Sequence, residues 1–196
     1  EYGGIEFTYS FWIYVKDNYI NKKIKENKFM HVFHKGSSSL SDNNDVLDKD
    51  MYGPNVSPGV YLFLGRDRTA IDYNKFADGS ADETKADEYV LSKPELNLLI
   101  RLNTYTGNNE ANKYTTFENI VVEGIPIKKW VNIIIRSTNQ NIIDIYVNGT
   151  LVKRHTLSNT VKQNYDKVYI NQNGGSNGNL SNLRSDKYGE GASAIE

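Results

Sequence analysis

The sequence predicts an all-β protein built from two stacked antiparallel sheets, and three observations carry that prediction. Apolar and polar side chains alternate in run after run: Val131, Ile133 and Ile135 fall on one face of a period-2 ribbon, and Ile143, Ile145 and Val147 do the same. Both runs are rich in β-branched residues, which suit a pleated, half-buried surface. Between this pattern and the next strand, Asn148-Gly149 supplies the two positive-φ residues of a type I′ hairpin turn. A two-residue loop also sets a register, with Val147 opposite Thr150, Ile145 opposite Val152, and Asp144 opposite Lys153 as a cross-strand ion pair.

Taken in order, Ile5 to Val15 places Ile5, Phe7, Tyr9, Phe11, Ile13 and Val15 on one face and Glu6, Thr8, Ser10, Trp12 and Tyr14 on the other, which predicts a long central strand. A lysine-rich connection, Lys16 to Asn27, leads to a second strand, Phe29 to Lys35. Its histidines, His31 and His34, are three residues apart. On a regular strand they project to opposite faces and cannot chelate one metal without a bulge.

Gly36 to Pro58 has the Ser, Asp, Asn, Gly and Pro content of a loop. Within it Asp42 to Asp50, DNNDVLDKD, offers the oxygen ligands that calcium selects. The EF-hand spacing fails, because Leu47 stands where glycine is needed and Val46 takes a ligand place, so a solvated acidic loop is the preferred reading. Gly59 to Gly65 is a short apolar strand, followed by a long polar insertion, Arg66 to Pro94, that reads as a surface excursion or a partner-contacting flap.

Leu96 to Thr104 and Phe117 to Glu123 are further strands, and the hairpin strands follow. Thr156 to Asp166 is a polar crossing; Lys167 to Asn171 is a strand; Asn173 to Asn179 is a Gly/Asn turn with no helix after it, which excludes a phosphate-cradling loop. Leu180 to Arg184 completes the sheet. The expected layout is one domain over 1–184 with polar insertions near 37–58 and 66–94, and a polar tail or linker over 185–196.

Net charge is −1, which argues for neither a nucleic-acid nor an anionic-membrane partner, and no apolar run is long enough to span a bilayer. There is no cysteine, hence no disulfide frame, thiol chemistry or zinc-thiolate site. No signal peptide is expected from this reading, and no Gly-x-Ser-x-Gly elbow occurs in the sequence. The sequons Asn148-Gly-Thr and Asn179-Leu-Ser are expected chance matches in an Asn-rich chain.

The run Trp130-Val-Asn-Ile-Ile-Ile, then Ile143-Asp-Ile-Tyr-Val-Asn-Gly-Thr-Leu-Val, resembles the signature of laminin-G-like domains, part of the concanavalin A-like lectin and glucanase jelly rolls. Phe7 to Val15, Val168 to Gly175 and Gly178 to Arg184 are similar to the opening and closing strands of that family, in the same order. The resemblance implies an antiparallel two-sheet jelly-roll sandwich, concanavalin A-like, with Trp130 burying its ring at the sheet edge. Similar domains occur in uncharacterised proteins of large double-stranded DNA viruses. That resemblance implies a virion or extracellular surface.

Glucanases of this superfamily carry Glu-x-Asp-x-x-Glu on a strand, so that two carboxylates face one cleft. The corresponding stretch here is Ile142-Ile-Asp144-Ile-Tyr-Val147, with aliphatic residues at both glutamate positions. The expectation is therefore no enzyme and no catalytic or cofactor-binding residue. Metal ligands stay unassigned, calcium being the one candidate cofactor. Fourteen tyrosines with abundant Asn and Asp suit a non-catalytic recognition module for a glycan or protein surface. A structural or assembly component of a virion surface and a toxin-like receptor-binding domain are the alternatives. Oligomeric state stays open.

Overall fold

The computed structural model describes residues 6–16, 29–38, 56–65, 95–105, 116–139, 141–172, 178–187 and 193–194. Its strands are β1 (Phe7–Tyr14), β2 (Met30–Gly36), β3 (Val56–Gly65), β4 (Glu95–Thr104), β5 (Thr116–Val122), β6 (Trp130–Thr138), β7 (Ile142–Val147), β8 (Thr150–Thr156), β9 (Val168–Ile170), β10 (Asn179–Lys187) and β11 (Ser193–Ala194). They form an all-β, antiparallel two-sheet jelly-roll sandwich. One sheet runs β11-β10-β1-β6-β7-β8 and the other β5-β4-β3-β2-β9. Among the described residues there is no helix, and so none long and apolar enough to cross a membrane.

Period-2 alternation builds the core from both sheets. β1 contributes Tyr9, Phe11 and Ile13, β6 contributes Val131, Ile133 and Ile135, and β7 contributes Ile143 and Ile145. The facing sheet supplies Met30, Val32, Phe33, Val60, Leu62, Leu98, Ile100, Leu102 and Ile120. Removing each such side chain from water is worth about 1.5–3 kcal/mol. At the centre, the rings of Phe11 and Phe33 meet edge to face at 5.1 Å, which joins the two sheets.

The Asn148-Gly149 turn forms as expected, with φ of 51° and 81°. Beyond it the expected register is overturned. Val147 pairs with Thr150 and Tyr146 with Leu151, but Ile145 pairs with Lys153 and Asp144 with Arg154. Val152 is an extra residue on β8, a β-bulge, so every later residue moves on by one. Asp144 therefore bonds Arg154 instead of Lys153. Lys153 instead reaches across to the second sheet, where its Nζ donates to the Val121 carbonyl at 2.9 Å. Glu118 of β5 reinforces the same closure, accepting from the amides of Ser158 and Asn159 at 3.0 and 3.3 Å.

Two boundaries also differ from the sequence reading. β3 begins at Val56, inside the stretch read as loop, because the Val56 amide is held by Asn103 Oδ1 at 3.3 Å. β10 runs on through Lys187, and β11 pairs with it at Arg184 and Ser185. The crossing after β8 is tied down by buried Asn164, whose Nδ2 donates to the carbonyls of Lys35 and Ser57 at 2.8 and 3.1 Å.

Candidate functional site

The outward face of the six-stranded sheet follows from parity. With Val131, Ile133 and Ile135 turned inward, Trp130, Asn132, Ile134 and Arg136 must turn outward. On β1 the same rule turns out Thr8, Ser10, Trp12 and Tyr14. Paired positions share a face, so the registers assemble two rows of side chains. Asn179, Tyr14 and Trp130 form one row; Ser181, Trp12 and Asn132 form the next.

Three aromatic rings thus lie on neighbouring positions of two strands. Trp12 is 39% exposed and Trp130 46%, and the Tyr14 and Trp130 rings sit 5.6 Å apart, tilted by 53°. Trp130 is therefore not the buried edge residue that the family resemblance implied. The buried Val131 beside it leaves its side chain no inward position. Hydrogen bonds fix the frame beneath these rings. Asn132 donates through Nδ2 to the Phe11 carbonyl at 3.3 Å, and its amide donates to Asn148 Oδ1 at 2.9 Å. A row of solvent-facing rings beside amide and hydroxyl groups can stack on a ligand and bond its polar edge.

The outward face of the five-stranded sheet is different, because it is buried and mixes polar groups with an apolar cluster. His31 and His34 both lie on it, contrary to the expectation of opposite faces. His31 pairs with Tyr61 but Phe33 pairs with Val60, which makes Val32 a bulged extra residue. Val32 and Phe33 both enter the core, and the two imidazoles are brought to one side.

Their nitrogens form a directed chain. The Gln172 amide donates to His31 Nδ1 at 3.0 Å, so His31 carries its proton on Nε2 and donates it to His34 Nδ1 at 2.7 Å. His34 Nε2 then donates to the Ser37 carbonyl at 2.8 Å. Geometry assigns both tautomers, and all four ring nitrogens are used. Burial pushes the His31 pKa down to about 3, with the neighbouring His34 adding to the effect, and burial lowers that of His34 as well. Both rings are neutral, and binding a metal would require breaking this chain.

Tyr61 packs on His31 with centroids 5.5 Å apart, and Tyr169 stacks on His34 at 5.3 Å. Nearby Arg101, also buried, donates from Nε to Asn119 Oδ1 at 2.9 Å and lies 5.1 Å from the Phe117 ring. This face therefore combines bonded polar groups with a second apolar cluster of Tyr61, Phe63 and Leu99, against which Phe29 and Val121 pack.

Asp144, the carboxylate at the position of the glucanase motif, accepts a bidentate pair from Arg154 Nε and Nη2 at 2.6 and 2.8 Å. Those bonds lower its pKa more than burial raises it, with the charges of Arg154 and Arg136 acting in the same direction. A carboxylate held ionised in this way does not serve as a general acid. No cluster of three or more His, Cys, Asp or Glu suited to a metal occurs among the described residues. The acidic stretch Asp42 to Asp50, the insertion Arg66 to Pro94 and most of the Gly/Asn turn lie outside the described residues.

Comparison with known proteins gives structural likenesses alone. No protein-family model matches the chain, and no curated protein matches it. Among solved structures, the receptor-binding domain of botulinum neurotoxin D is similar at a TM-score of 0.44 and 11% identity, over 88% of this chain and 31% of that one. The binding domain of Paraclostridial Mosquitocidal Protein 1 is similar at 0.44 and 13%, over 93% and 32%. The botulinum neurotoxin serotype D ligand-binding domain in complex with N-acetylneuraminic acid is similar at 0.43 and 12%, over 89% and 31%. This chain thus spans under a third of the length of each of these three. The fold assignment rests on strand order and register.

Proposed function

We propose that this chain is a non-catalytic recognition module of laminin-G-like type that binds a glycan or protein surface through the outward face of its six-stranded sheet. The observation that carries the reading is the placement of exposed Trp12 and Trp130 beside half-buried Tyr14 on adjacent positions of β1 and β6. Large aromatic rings left in water forfeit burial that a ligand can restore. Their amide and hydroxyl neighbours, Asn132, Asn179 and Ser181, provide both donors and acceptors for fixing orientation. The bidentate lock on Asp144 supports a binding role over a hydrolytic one.

A glycan array probed with purified protein, with and without calcium, tests this together with a W12A/W130A variant checked for folding by circular dichroism. The expected result is binding by the native chain that the double variant loses. Undiminished binding by the variant would move the site elsewhere, and silence on every glycan in both conditions would overturn the glycan reading.

A further inference from the structure

The histidine chain on the covered sheet also governs how one strand is held. Among the described residues β9 lies at the end of its sheet and pairs with β2 alone, through Val168, Tyr169 and Ile170. Val168 packs against the core, Tyr169 stacks on His34, and Ile170 is 41% exposed. Just past the strand, the Asn171 amide donates to the Val32 carbonyl at 3.0 Å and the Gln172 amide to His31 Nδ1 at 3.0 Å. A three-residue edge strand that buries so little opens more readily than the strands inside a sheet.

A proton has one point of entry to the histidine chain. His34 Nδ1 is occupied by the His31 N–H, and His34 Nε2 is already the donor to Ser37, which leaves His31 Nδ1 as the basic nitrogen. That nitrogen faces the Gln172 amide. Once protonated it is a donor set against a donor, and the hydrogen bond that ties residue 172 to β2 is lost. The other titratable or charged groups on the elements packed here are His34 and Lys35 of β2, Tyr61 of β3, Tyr169 of β9, and Arg101 of β4, which stands in the His34 row across Gly59. β2, β3 and β9 contain no carboxylate, and Glu95 of β4 pairs with Gly65, four residues along β3 from Tyr61. A charged His31 is therefore unsupported while the strand stays in place.

We infer that acid releases β9: protonation of His31 at Nδ1 expels the Gln172 amide, frees the strand from β2 and leaves β2 as the edge of its sheet, while the rest of the sandwich stays folded. The driving force is linkage, because the open form takes up a proton that the closed form refuses. With the His31 pKa at 6.5 when open and about 3 when closed, the opening constant rises about tenfold for each pH unit between those values, or about 70-fold from pH 7 to pH 4.5. The bared β2 edge then presents backbone groups to which another strand can add.

The test is hydrogen exchange of the full chain, read residue by residue from pH 7 to pH 4.5, corrected for intrinsic rates and repeated in low urea. The expected result is that protection of the Asn171 and Gln172 amides falls about 70-fold over that range. It should also be insensitive to urea, the mark of a local opening, and at pH 4.5 it should lie at least tenfold below that of the Ile135 and Ile145 amides in β6 and β7. H31Q keeps an acceptor for Gln172 and a donor for His34 but takes up no proton, so its Asn171 and Gln172 amides should hold their protection at pH 4.5. Y169A retains the proton site and removes the ring stacked on His34; it should lower Asn171 protection at every pH and keep the slope. Protection of Asn171 and Gln172 that is flat with pH in the native chain, or a slope that survives in H31Q or vanishes in Y169A, would overturn the inference. So would protection equal to that of Ile135 and Ile145 at every pH and urea concentration, because β9 would then open only with the whole fold.

Discussion

The outward faces of the two sheets are built on the same pleat and end in opposite states. On β1 and β6 the outward residues include Trp12, Tyr14 and Trp130, large apolar rings left in contact with solvent. On β2, β3 and β4 the outward residues include His31, His34, Tyr61, Asn97 and Arg101, polar groups that are almost wholly buried. The first face leaves apolar surface in water, and the second withdraws polar groups from water at the cost of satisfying them internally. Large rings left part-exposed suit a ligand, whereas buried imidazoles with every nitrogen bonded suit architecture. The proposed recognition role falls on the six-stranded sheet, and the five-stranded one is the more fully packed of the two.

Substitutions can break this division. The largest effect expected is on binding: W12A/W130A should weaken saccharide affinity about 100-fold, or about 2.7 kcal/mol, because truncated central aromatics dominate such interfaces. Calorimetric titration checks it.

On the covered face, G59A should destabilise by about 2 kcal/mol, since overpacking of this kind typically costs 1–3 kcal/mol. A Cβ at Gly59, which pairs with His34, would meet Val56 Cγ1 at 2.7 Å and Tyr61 Cε2 at 2.9 Å. Urea unfolding should show that loss with saccharide affinity unchanged.

The histidine chain gives a pH signature of the same face. Folding lowers the His31 pKa from 6.5 to about 3, so between those values the unfolded chain binds the extra proton. The stabilisation is complete above pH 6.5 and lost as pH falls, with a slope approaching about 1.4 kcal/mol per pH unit from His31. His34 shifts in the same direction. H31Q should flatten the curve of stability against pH between 6 and 4. The smallest effect belongs to the open face, where W12F, which keeps a ring on the sheet, should alter unfolding free energy by no more than about 0.5 kcal/mol.

Much of this was legible in the sequence, and the failures have local causes. The hairpin turn, the inward faces of β1, β6 and β7, and the position of Trp12 opposite the core all follow from alternation and one Asn-Gly pair. Trp130 could have been placed by the same alternation, since a residue next to inward Val131 must face out. The family resemblance argued otherwise, and parity prevailed. The bulges at Val32 and Val152 carry no local signal. Each inserts an ordinary β-branched residue, and each redirects a polar partnership: His31 toward His34, and Asp144 toward Arg154. Bulges are decided by what the two strands must satisfy together, which a single strand's pattern does not contain. The aromatic patch was hidden for a related reason, because Trp12 and Trp130 are far apart in sequence and meet only through the pairing of β1 with β6.

A nitrogen–proton correlation spectrum recorded during titration with a glycan selected on the array tests the division between the faces most directly. The account expects the two indole Nε1–H resonances, from Trp12 and Trp130, to move with ligand while the ring signals of His31 and His34 stay where they are. Stationary indoles with shifted histidines would place recognition on the covered sheet and contradict it.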